Sequence, residues 1–189
     1  KKEIESIRNI FNSEKISTSI FLSSNATENN VKSISSPDIL HIATHGFFKS
    51  SLEGNPMLNS GLLLAGCDNT KPSFEDGYLS AYEMSFLDLE KTELVVLSAC
   101  ETGKGLLKDG DGIFGLKQGV LNAGAQNIIM SLWKVDDKVT QEFMSRFYEI
   151  WLHDKTTIRE AFNKTQLEIK AKYPEPYYWG AFILVGELN

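Results

Sequence analysis

Cysteine is nearly absent from this chain: Cys67 and Cys100 are the two in 189 residues. Two thiols make no disulfide framework, which points to a reducing, cytoplasmic compartment. Histidine is as scarce, with three, and no paired Cys and His set has metal-ligand spacing, so no metal and no cofactor is expected. No apolar run approaches the roughly 20 residues that cross a bilayer, and no signal peptide is visible, so no membrane contact is expected. Positive charge is in deficit, with 19 Lys and Arg against 25 Asp and Glu and a net charge of −6. That balance argues against direct nucleic-acid contact, which calls for clustered basic residues, and permits a basic peptide as partner. Internal repeats and low-complexity segments are also missing. What remains is ordinary, at 42% hydrophobic and 23% charged residues, in a length that suits one domain with a real core. A single domain over 1–189 is expected. The chain begins Lys1-Lys2-Glu3 rather than with methionine, which points to the C-terminal part of a longer protein.

The stretch with most chemistry is Leu94-Val95-Val96-Leu97-Ser98-Ala99-Cys100-Glu101-Thr102-Gly103. Four apolar residues, two of them β-branched, read as a buried parallel strand that runs into small residues, a thiol and a glycine. In open α/β sheets the carboxyl ends of strands border the ligand crevice, so Cys100 stands where substrates go. Ile39-Leu40-His41-Ile42-Ala43-Thr44-His45-Gly46 is a second apolar strand, ending at an imidazole. If the two strands are parallel, His45 and Cys100 share one edge.

Around these strands the pattern is α/β. Ile4, Ile7, Ile10 and Phe11 are spaced as one helical face, and Ile16 to Leu22 reads as a short strand; neither segment is assigned chemistry. Asn25 or Thr27 caps a helix to about Ile34, closed by Pro37 before the His45 strand. Residues 47–59 read as an exposed loop beside the cleft, Gly61 to Gly66 as a short strand, 67–77 as a polar turn region, and Ser80 to Glu83 as a capping box. The glycine-rich segment 101–112 reads as a lid. Ile113 to Ala123 forms a helix stopped by Gly124, followed by a strand over Gln126 to Leu132. Helices capped by Asp136 or Asp137 and by Thr156 or Thr157 then cover the sheet, Pro174-Glu175-Pro176 ends the last, and Trp179 to Val185 is a final buried strand.

Each candidate has a bland reading. An isolated cysteine at a strand end is more often a small buried hydrophobe, but small residues on both sides of Cys100 leave room for a peptide backbone. His41 and His45 have the spacing of a zinc helix, yet four residues along a strand cover about 13 Å, so they cannot share one zinc. His41 is expected to be a satisfied core or edge residue. Gly110-Asp111-Gly112-Ile113-Phe114-Gly115 matches a dinucleotide fingerprint, but that fingerprint should follow its strand at once, and here some ten residues intervene. A lone loop thiol such as Cys67 is more often incidental.

Several runs together resemble a known family: Ala43-Thr44-His45-Gly46, Ser60-Gly61-Leu62-Leu63-Leu64-Ala65, Glu93 to Gly103, Gly110 to Gly115, Ala123-Gly124-Ala125, Ser131 to Asp137 and Pro176-Tyr177-Tyr178-Trp179. In order and number they are similar to the CHAT domain, a caspase-like module found with tetratricopeptide repeats in the clan of caspases, separases and gingipains. His45 lies 55 residues before Cys100, near the spacing of about 50 in caspases. The local caspase signature is only approximated, without Gln before Ala99 and with one residue too many before Gly103.

The resemblance implies a caspase-like three-layer α/β/α sandwich with a mostly parallel sheet. It implies a cysteine endopeptidase with Cys100 as nucleophile and His45 as general base and acid, acting mainly on the leaving amine. The chemistry is acyl transfer through a thioacyl-enzyme, and the oxyanion donors are expected at the backbone N–H groups of Gly46 and Cys100. No third catalytic acid is evident. The specificity pocket is implied near Trp133, Asp136 and Asp137, which with Asp109 and Asp111 point to Lys or Arg before the cut bond; Asp137 as a simple helix cap fits equally well. Expected partners are a protein or peptide substrate and a regulatory helical-repeat segment outside this chain. The rivals are a caspase-like scaffold without turnover and, behind it, a nucleotide-binding α/β domain.

Overall fold

Runs without a charged residue have no solvent-facing side, so Ile39–Ile42, Leu94–Leu97 and Ile128–Met130 are driven to the middle of a sheet covered on both faces. A computed structural model describes residues 2–48, 55–68, 75–101 and 111–186. Its strands are β1 (Ile39–Phe48), β2 (Ser60–Leu63), β3 (Tyr78–Ser80), β4 (Leu94–Glu101), β5 (Asn127–Ser131) and β6 (Phe182–Gly186), in one sheet of order β3-β2-β1-β4-β5-β6. β1, β4 and β5 are parallel neighbours, β2 is antiparallel to β1, β3 to β2, and β6 to β5. β1, β3, β4 and β5 therefore run one way, and β2 and β6 the other. Leu94, Val95 and Val96 are fully buried and Leu97 nearly so, as the charge-free run requires.

The helices are α1 (Lys2–Ser13), α2 (Glu28–Lys32), α3 (Pro56–Asn59), α4 (Ala81–Met84), α5 (Asp111–Asn122), α6 (Asp137–Tyr148), α7 (Ile158–Lys172) and α8 (Pro176–Trp179). They cover both faces and make the expected three layers. On one face Leu94, Val96 and Ile129 pack with Ile7 and Phe11 of α1, Phe143 and Phe147 of α6 and Phe162 of α7. On the other Leu40, Ile42, Val95, Leu97 and Met130 pack with Met84 of α4 and Val120 of α5. A π-helical turn over Glu149–His153 follows α6 and puts both Ile150 and Trp151 in the core.

Local chemistry sets the boundaries. Thr27 caps α2 by accepting from the Asn30 N–H, and Ser80 with Glu83, like Thr157 with Glu160, forms a full capping box. Gly124 ends α5 at φ +101°, where a side chain would be strained.

Four expectations need correction. Residues 16–22 form no strand; they are mostly exposed and pair with no strand among the described residues. β1 continues past His45 to Phe48, because β2 folds back on it, and α3 interrupts the expected loop. β3, hidden in a polar stretch, offers one buried side chain, Leu79, too little for a periodicity to reveal. Trp179 belongs to α8, started by Pro176 at the position where its missing N–H costs nothing, and β6 begins at Phe182. Most of the expected lid, 102–110, lies outside the described residues, as do 49–54 and 69–74.

Candidate active site

The parallel ladder between β1 and β4 runs from Ile39 opposite Leu94 to Gly46 opposite Glu101, and it sets His45 opposite Cys100. Neighbouring strands lie about 4.8 Å apart, so two positions 55 apart in sequence become adjacent. His45 is exposed and Gly46 is buried between Leu62 of β2 and Glu101 of β4. The Thr44 hydroxyl donates to the Leu63 carbonyl, which ties β2 to β1 beside His45. The carboxyl ends of β1, β4 and β5 all open on one edge of the sheet.

Trp133, Asp136 and Asp137 follow the end of β5 on that same edge. Trp133 is partly buried, and its Nε1–H donates to the Tyr177 carbonyl at 2.9 Å. The Tyr177 hydroxyl donates back to the Lys134 carbonyl, and the Leu132 N–H reaches the Ala181 carbonyl at 2.7 Å. The Pro176–Trp179 turn thus holds this loop, a supporting role the sequence did not disclose. Asp136, not Asp137, is the helix cap: its Oδ1 accepts from the Lys138 N–H at 2.9 Å. Asp137 opens α6 with its side chain exposed. Asp109 lies outside the described residues and Asp111 begins α5.

His41 shares the sheet face of His45, since four residues is an even step along a strand. Its Nε2 lies 3.0 Å from Glu3 Oε1 and its Nδ1 3.0 Å from the Tyr148 hydroxyl. The second Glu3 oxygen accepts from the Ser98 hydroxyl at 3.1 Å. One assignment satisfies every group: Tyr148 donates to Nδ1, Nε2–H donates to an ionised Glu3, and Ser98 donates to the same carboxylate. Tyr148 is fully buried. Burial, with the Glu3 charge nearby, pushes its phenol well above the ordinary value and keeps it a donor. His41 is thus the satisfied histidine expected from its apolar strand. α1, to which no chemistry was assigned, sends a carboxylate to both β1 and β4. Contacts across 38 and 95 residues leave no local signal to find.

Gly115 of the nucleotide-like run serves packing. A Cβ on Gly115 would stand 2.3 Å from Ser60 Oγ and 2.7 Å from the Pro56 carbonyl oxygen, so this glycine lets α5 close on α3 and β2. Cys67 is a free, partly exposed thiol. Among the described residues no group of three or more His, Cys, Asp and Glu could hold a metal, and no helix is long and apolar enough to cross a membrane.

A six-stranded mixed sheet between two helical layers defines an α/β protein consistent with the caspase-like fold. The CHAT domain model matches residues 1–187, and the chain belongs to that family. It is similar to tetratricopeptide repeat protein 28 of Mus musculus, at 30% identity over 118 residues, covering 61% of this chain and 5% of the relative. Against tetratricopeptide repeat protein 28 of Homo sapiens it is 26% identical over 193 residues, covering 85% of this chain and 8% of the relative. The chain spans less than a tenth of the length of either relative.

Proposed function

We propose that this chain, as one domain over 1–189, is a cysteine endopeptidase acting through Cys100 and His45. The observation that carries the reading is the register that sets these two positions side by side at the carboxyl edge of the sheet. A free thiol near pKa 8.5 is only a few per cent ionised at neutral pH, so a nearby imidazole raises the competent fraction. The Cys100 thiolate attacks the scissile carbonyl carbon, and the backbone N–H groups of Gly46 and Cys100 receive the oxyanion. As the C–N bond breaks, His45 gives its proton to the leaving amine, and water then hydrolyses the thioacyl-enzyme. A long resting distance between base and nucleophile is compatible with this sequence, because such contacts tighten with substrate bound.

Asp137 and Asp136, exposed beside Trp133 on the same edge, support a preference for Lys or Arg before the cut bond. The names of the relatives state tetratricopeptide repeats, which supports a helical-repeat segment as the regulatory partner. The test is covalent labelling by peptides carrying an electrophile after Lys or Arg, with mass mapping. Labelling on Cys100 that disappears in Cys100→Ala and falls in His45→Ala is expected. A chain that no basic, acidic or apolar probe labels, with the helical-repeat segment present as well as without it, is a scaffold, and the peptidase reading is lost. Cleavage after acidic or apolar residues removes the basic preference alone.

A further inference from the structure

β4 is held unevenly. Its ladder to β5 covers Leu94 to Leu97 and stops there, whereas its ladder to β1 continues to Glu101. From Ser98 onward, including Cys100, the registered neighbour among the described residues is β1 alone. A strand end supported on one side opens more readily than one inside a sheet. Ser98 is the first residue of that stretch, and its hydroxyl is bound by the Glu3 carboxylate at 3.1 Å.

The same carboxylate takes His41 on β1 with its other oxygen at 3.0 Å. Its side chain is 14% exposed and that of His41 8% exposed, so bulk water does little to solvate the pair. A carboxylate withdrawn from water in this way is stable only with donors in place, and here both come from the dyad strands. His41 precedes His45 by four residues and Ser98 precedes Cys100 by two. Along the strands these are about 13 Å and about 7 Å. His41 is anchored in turn by Tyr148, which is buried in the core of α6. The arrangement is a brace in which α6 holds His41, His41 holds Glu3, and Glu3 holds the carboxyl end of β4.

We propose that Glu3 is a positioning residue for the Cys100 and His45 pair, its carboxylate bracing β4 against β1 where the ladder from β4 to β5 ends. The catalytic part of this inference rests on the peptidase reading; the brace itself does not. Glu3→Gln keeps an acceptor for His41 Nε2–H and offers an amide donor to the Ser98 oxygen, so it preserves the brace without the charge. Glu3→Ala removes both arms, and Ser98→Ala removes the arm to β4 only. Ser6→Ala breaks a separate polar tie of α1, the 2.8 Å bond from Gln141 Nε2, and serves as the control for docking of α1.

The experiment combines native-state amide hydrogen exchange with steady-state kinetics on a basic peptide, using the whole chain. In Glu3→Ala and Ser98→Ala, amides of 98–101 should exchange about five- to tenfold faster while Leu94 to Leu97 stay protected. Turnover should fall about ten- to a hundredfold in Glu3→Ala with KM within about twofold, as expected for displaced reacting groups. Glu3→Gln and Ser6→Ala should follow the wild type in both readouts. Unchanged exchange in Ser98→Ala overturns the brace, as does a loss of turnover in Ser6→Ala equal to that in Glu3→Ala. If the wild type cleaves no peptide, the peptidase reading fails, and exchange at 98–101 still decides the brace.

Discussion

Tyr148→Phe isolates one hydroxyl in the deepest part of the molecule. The ring stays, with its contacts to Phe11 at 5.0 Å and Phe147 at 5.1 Å, so no cavity opens. What is lost is the 3.0 Å bond to His41 Nδ1, and the imidazole nitrogen is left buried without a donor. A net hydrogen bond is worth about 1 kcal/mol and an orphaned buried acceptor costs about 1–3 kcal/mol, while the variant no longer buries a hydroxyl, so a loss of about 1–2 kcal/mol is expected at pH 7. For a domain of this size each kcal/mol shifts Tm by about 2–4 °C, which makes the drop about 2–8 °C.

The pH dependence is the sharper test. In the unfolded chain the phenol ionises near pH 10, whereas in the folded chain its value is raised well above that. The stabilisation is therefore complete below about pH 10 and declines above it, as the unfolded state releases a proton that the folded state keeps. At pH 11 the wild type should have lost about 1.4 kcal/mol through this group, and the phenylalanine variant nothing. Urea unfolding of both proteins from pH 7 to 11 should show their difference shrinking towards zero. A difference that stays constant to pH 11 would refute the reasoning, because it would mean that the folded phenol ionises as freely as the unfolded one.

Three further outcomes follow from the packing and the charges. Phe143→Ala empties the site between Phe182, stacked at 4.2 Å, and Phe162, edge-on at 5.6 Å, and should cost about 3–5 kcal/mol in urea unfolding. Gly115→Ala gains helix propensity of up to about 1 kcal/mol, but its Cβ meets the Pro56 carbonyl oxygen at 2.7 Å, so Tm should fall rather than rise. Burial opposes the Glu83 charge, yet the Ser80 hydroxyl and N–H and the Lys32 ammonium outweigh it and hold the carboxyl below its ordinary value. Its contribution is present above about pH 4.3 and is lost as pH falls through the lowered folded value; solvent screening keeps it under about 1 kcal/mol, so Glu83→Gln should flatten the acid limb only slightly.

The elements that were legible in the chain have local causes. The capping box at Ser80, the helix start at Thr156 or Thr157, the stop at Gly124 and the charge-free runs at 39–42 and 94–97 each act within a few residues, and each appears where the spacing places it. β3 and the missing strand at 16–22 mark the limit. A strand exists by having a neighbour, and neither the presence of one for Tyr78–Ser80 nor the absence of one among the described residues for 16–22 is written locally. Asp136 rather than Asp137 as the cap is a one-residue choice between two identical carboxylates, made by the backbone entering α6.

By itself, the sequence determined that a thiol and an imidazole follow two buried apolar runs of an α/β sheet, because runs of apolar residues without charge have no other place to go. Only the tertiary structure decided that those strands are neighbours with His45 opposite Cys100. It alone brought Glu3 to His41 and Ser98, because register and buried hydrogen bonds join residues that have no local means of specifying one another.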